Sequence, residues 1–83
     1  IYGAGYAAEK TIKELSKHEI AISGVAVTSS DKNPDVLLGH KVNEITQYIH
    51  KKEKCLIIVA TTKYKDEILQ KLQQLNFPNI ICI

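Results

Sequence analysis

The chain contains no arginine, no tryptophan and no methionine, and only two cysteines, two prolines and one phenylalanine among 83 residues. Each shortage removes a class of chemistry. Without guanidinium groups, bidentate side-chain clamps on phosphate or carboxylate are unavailable, so any anion must be held largely by backbone N–H groups. Two cysteines build neither a disulfide framework nor a zinc spacing. Cys55 and Cys82 each adjoin aliphatic residues and read as small buried hydrophobes, compatible with a reducing cytosol. No apolar run is long enough to cross a membrane, and no leader peptide is recognisable. A net charge of +2 gives no footprint for nucleic acid. The one cationic run, Lys51-Lys52-Glu53-Lys54, reads as a helix end, where cations favour the dipole.

What is present is a 45% hydrophobic, 24% charged composition, ordinary for a globular domain. At this length one domain, residues 1–83, is expected, burying roughly 60–65% of its unfolded surface. The segments alternate between strand-like and helix-like. Ile1-Tyr2 reads as the end of a buried strand, followed by a helix from Ala4 to about His18 with Ala8, Ile12 and Leu15 on one face. Residues 19–28 are rich in β-branched side chains and read as a strand, with Gly24 a bulge or a point of close approach. Residues 29–35 are dense in turn formers. A short edge strand is expected near Lys41-Val42, then a helix from Glu44 to about Lys52 with Asn43 as its N-cap. The apolar run 55–60 suits a central parallel strand covered on both faces. A helix from Lys63 to about Leu75 and a strand over 79–83 complete the chain.

This order predicts an α/β fold: a doubly wound parallel sheet, strand order 3-2-1-4-5 with a short third strand, and three main helices. In such a sheet the ligand crevice lies where the first and fourth strands end. The first strand is short: only two residues precede Gly3. The chain therefore reads as an excised module of a longer polypeptide.

The opening Ile1-Tyr2-Gly3-Ala4-Gly5-Tyr6-Ala7-Ala8 carries the Gly-x-Gly-x-x-Ala pattern of a dinucleotide-binding turn. Gly3 permits a tight exit from the strand, Gly5 lets a phosphate approach the backbone, and Ala8 lets the helix lie close to the sheet. The candidate ligand-binding residues are Gly3, Ala4, Gly5 and Tyr6, with Ser29 and Ser30 after the second strand and Ala60, Thr61 and Thr62 after the fourth. An NAD-type ribose clamp needs an acidic residue after the second strand, where this chain has Thr28-Ser29-Ser30. Ser29 or Ser30 with Lys32 could accept a 2′-phosphate, or the segment is simply a turn. Thr61 and Thr62 either donate hydroxyls to a phosphate or ribose or cap the next helix. His18, His40 and His50 have no ligand partners at metal spacing and read as solvated. No catalytic constellation can be assembled within the chain.

The stretches Ile-Tyr-Gly-Ala-Gly-Tyr-Ala-Ala, Ile-Ser-Gly-Val-Ala-Val, Leu-Leu-Gly-His-Lys-Val, Leu-Ile-Ile-Val-Ala-Thr and Leu-Asn-Phe-Pro-Asn-Ile-Ile resemble the Rossmann-like modules of bacterial surface-polysaccharide biosynthesis proteins. Such modules occur in sugar acetyltransferases, capsule-type dehydratases and epimerases, and beside some glycosyltransferases. The resemblance implies a nucleotide or nucleotide-sugar ligand over Gly3 to Tyr6 and a cytoplasmic setting. It also implies that other domains of the parent chain, a transferase or dehydratase, perform the chemistry. Two further readings stay open: the cofactor half of an NAD(P)-dependent oxidoreductase, and a non-catalytic interaction or regulatory domain.

Overall fold

A computed structural model describes residues 1–29, 31, 33–61 and 63–82. In chain order the elements are helix α1 (Tyr6–Lys17), strands β1 (Val25–Val27), β2 (Val36–Leu37) and β3 (His40–Glu44), a 3-10 segment (Ile45–Lys54), β4 (Ile57–Val59), α2 (Lys65–Gln74) and β5 (Ile80–Cys82).

The expected doubly wound five-stranded parallel sheet is not what the chain forms. Its ladders make a three-stranded mixed sheet, ordered β1-β3-β2, and a separate two-stranded parallel sheet, β4-β5. β1 runs parallel to β3, but β2 is antiparallel to β3. The segment read as a first strand contributes one residue, Tyr2, which makes isolated parallel bridges to Ala26 and Val59. Its N–H donates to the Ile58 carbonyl at 2.8 Å, and its carbonyl accepts from the Ala60 N–H at 3.0 Å.

The antiparallel pair leaves no usual mark in the sequence because its turn has an unusual composition. Leu38 and Gly39 both have positive φ, 49° and 84°, and join the paired residues Leu37 and His40. Two successive positive φ values are those of a type I′ hairpin turn, which usually carries Asn-Gly or Asp-Gly. The predicted strand over 19–28 shortens to β1, whose register places Val25 opposite Val42.

α1 has Glu9 in its first turn and Lys17 in its last, each favourable to the helix dipole. It closes on Glu19, in the left-handed region at φ 57°, while the Ile20 N–H returns to the Leu15 carbonyl at 3.0 Å. α2 closes the same way on Asn76 at φ 60°, a residue type that tolerates this conformation, and Pro78 prevents continuation. The middle helix is not α-helical: residues 45–54 form 3-10 turns, broken at Lys51. Nor is Asn43 its cap. Asn43 lies in β3, and the capping position, Glu44, makes no side-chain cap bond. The cationic run does occupy the end of this segment, and Lys52 Nζ donates to the Leu75 carbonyl at 3.3 Å.

Side chains on adjacent residues of a strand point to opposite faces. Val25 and Ala60 pack with Ala8, Ile12 and Leu37, whereas Ala26 and Val59 pack with Tyr2, Ile45, Ile57, Ile68, Leu72 and Phe77. α1 thus covers one side, and α2 with the 3-10 segment covers the other. Cys82 is exposed and Cys55 half-buried, so Cys82 is not the buried hydrophobe its sequence setting predicts. The apolar run over 55–60 is also less covered than predicted, since Leu56 is exposed.

Candidate ligand cleft

The turn at Gly3 is fixed by sterics. Gly3 has φ 130°, a value that residues with a Cβ rarely adopt, and a Cβ there would stand 3.0 Å from the Ala60 carbonyl oxygen. Its N–H donates to the Ala26 carbonyl at 2.8 Å, tying the turn to β1. Ala8, fully buried, lies next to the same point, so a small residue is required on the helix as well.

Gly5 differs. It is the N-cap of α1, with φ −102° and ψ −158°, extended backbone open to any residue. A Cβ added there meets nothing within 4 Å. The fold therefore requires Gly3 and does not require Gly5. The first i→i−4 bond of α1 is Glu9 N–H to the Gly5 carbonyl at 3.0 Å. The N–H groups of Tyr6, Ala7 and Ala8 precede it and have no intrahelical acceptor.

Tyr6 and Ala7 open on a cleft of about 840 Å³, within the range of small-molecule sites. Gly3, Ala4, Gly5 and Tyr6 line it together with Ser29 from the end of β1 and with Ala60 and Thr61 from the end of β4. The residues predicted from the sequence are brought to one place, except Ser30 and Thr62, which with Lys32 lie outside the described residues.

The Ser29 hydroxyl oxygen accepts the Asp31 N–H at 3.2 Å, and the Ser29 carbonyl accepts from Asn33 Nδ2 at 2.7 Å. That is the turn reading of the loop, leaving the Ser29 hydroxyl hydrogen to donate elsewhere. Thr61 is not the cap of α2, which begins at Lys65 and whose capping position, Tyr64, makes no side-chain cap bond.

Several lining residues were not singled out from the sequence. α2 and the turn before it supply Lys63, Glu67 and Lys71. The spacing of Glu67 and Lys71 marks one face of a helix, a signal that could have found them beside Tyr64. Among the described lining residues the charges are Lys63 and Lys71 against Glu67, a net positive balance. Tyr2, itself buried, pairs its hydroxyl with that of Thr28 at the cleft wall. Burial raises the Tyr2 phenol above its ordinary value, and the Thr28 bond opposes the shift. No carboxylate of the described residues stands at the β1 end of the cleft to bind a ribose diol.

Across this whole span, from the glycine turn to β5, one family model matches the sequence, over residues 1–81. The chain belongs to the C2185-like N-terminal family. The match includes every cleft residue described above. No curated protein and no solved structure matches the chain. Among the described residues no helix is long and apolar enough to cross a membrane, and no three His, Cys, Asp or Glu side chains are grouped to hold a metal ion.

Proposed function

We propose that this chain binds a nucleotide or nucleotide sugar in the cleft, with the diphosphate seated on the backbone N–H groups at the start of α1. The observation that carries this reading is Gly5. Apart from a modest N-cap preference, its glycine answers no steric or backbone demand of the fold, yet it removes a side chain from an open, positively balanced cleft at a helix N-terminus. Lys63 and Lys71 add screening charge without the fork geometry of arginine. Asp31, the carboxylate that follows β1, does not line the cleft, which disfavours NAD relative to a nucleotide sugar. From the motif resemblance, the parent is a cytosolic bacterial enzyme of polysaccharide biosynthesis, and its chemistry lies in other domains.

Calorimetric titration with a UDP-sugar, NAD and NADP tests the reading. UDP-sugar binding that Gly5→Val abolishes, with the circular-dichroism spectrum unchanged, supports it. A folded protein that takes none of the three sinks it, and NADP binding tighter than UDP-sugar binding returns the oxidoreductase alternative.

A further inference from the structure

The chain has five aromatic residues, four tyrosines and one phenylalanine. Tyr2 and Phe77 are buried in the core, and Tyr48 is packed against it. The remaining two, Tyr6 and Tyr64, are 80% and 51% exposed. Both line the same cleft, one at the start of α1 and the other at the entry to α2. Neither ring is explained by the fold. Tyrosine is a poorer helix former than alanine, and neither residue belongs to either core cluster. The Lys63 ammonium lies 5.4 Å from the centroid of the Tyr64 ring, which places a cation beside a π-face. Other lining residues differ in kind: Thr28, Ser29 and Asn33 present hydroxyl and amide groups, and the Tyr2 ring beside Thr28 is buried.

Resting on the binding reading above, we infer that the ligand lies in the cleft in one sense. Its aromatic base is held at Tyr6 and Tyr64, its phosphates lie on the glycine turn, and its non-aromatic end faces Thr28 and Ser29. The ligand class is then a nucleoside diphosphate compound, distinct from free pyrophosphate or a sugar phosphate, because only a planar π-system uses both exposed rings. Stacking on an aromatic side chain tolerates any base, so the tyrosines supply affinity and orientation and leave the identity of the base to other contacts.

The test compares pyrophosphate, UDP and ADP on the full chain. UDP or ADP should bind at least about tenfold more tightly than pyrophosphate, the gain that base stacking supplies. Tyr6→Ala and Tyr64→Ala should each remove most of that advantage, and Tyr64→Ala, at the entry to α2, should leave pyrophosphate binding unchanged. Tyr64→Phe, which keeps the ring, should retain it. Because the chain has no tryptophan, its emission is that of tyrosine, and stacked nucleotide should quench it where pyrophosphate does not. Equal affinities for UDP, ADP and pyrophosphate, or nucleotide binding indifferent to both alanine variants, overturn the orientation and leave the phosphate reading standing. If none of the three ligands binds, the binding reading and this inference fall together.

Discussion

Replacing each glycine of the turn with alanine should have opposite consequences for the fold. At Gly3 the backbone is at φ 130°, and a Cβ would press on the Ala60 carbonyl at 3.0 Å. Holding a non-glycine residue in such a region costs about 1–3 kcal/mol. The crowding against backbone adds to this, since the carbonyl cannot swing aside as a side chain could. Against it, alanine restricts the unfolded chain and returns ~0.4–1 kcal/mol. The net loss for Gly3→Ala is roughly 1–2 kcal/mol, which at about 4–8 °C per kcal/mol lowers the melting temperature on the order of 5–15 °C. At Gly5 the same entropy gain applies, the backbone is extended, and no atom lies within 4 Å. The only cost is alanine's weaker N-cap preference, about half a kcal/mol, so Gly5→Ala should be close to neutral. Thermal denaturation followed by circular dichroism at 222 nm measures both. A Gly3→Ala protein melting with the wild type, or a Gly5→Ala protein melting well below it, would refute the assignment of one glycine to the fold and the other to the cleft.

At Gly24 a Cβ would approach the Tyr48 hydroxyl to 2.6 Å. Gly24→Ala should therefore destabilise by about 1 kcal/mol, and adding Tyr48→Phe should recover most of the loss in a double-mutant cycle by urea denaturation. The Tyr2 phenol is held above its ordinary value by burial. Below the unfolded-state value near 10 both states are protonated and the stabilising difference is fully present. As pH rises past that point the unfolded chain ionises first, and stability is lost. Urea midpoints between pH 9 and pH 11 should fall more steeply for the wild type than for Tyr2→Phe, and parallel curves would count against this role for Tyr2.

The parts of the chain legible from sequence were those fixed by local chemistry. The α1 stripe of Ala8 and Ile12, the α2 stripe of Ile68 and Leu72 and the stop at Asn76-Phe77-Pro78 all follow from spacing and turn residues. Pairing partners were less legible. Leu38-Gly39 forms a tight hairpin turn although leucine is a poor residue for positive φ, so β2 and its antiparallel register with β3 left no usual mark. The 3-10 form of residues 45–54 was equally hidden, because Ile45 and Tyr48 share a face at either helical period. In the cleft, the backbone-defined residues from Gly3 to Tyr6 were readable from the glycine pattern. The spacing of Glu67 and Lys71 shows only that they share a helix face; that this face and Lys63 meet the turn depends on how α2 packs. Tyr64 shares the helical spacing of Ile68 and Leu72, but the helix begins one residue later and the ring lines the cleft.

The central claim is that backbone N–H groups at the start of α1 hold the phosphates of a nucleotide. A titration of the ¹⁵N-labelled chain with UDP, followed by amide chemical shifts, addresses it directly. Saturable shifts should be largest at Gly5, Tyr6, Ala7 and Ala8, smaller at Thr61, and absent at Ile80 to Cys82. Saturable shifts centred away from the glycine turn, or no shifts at millimolar UDP, would contradict it.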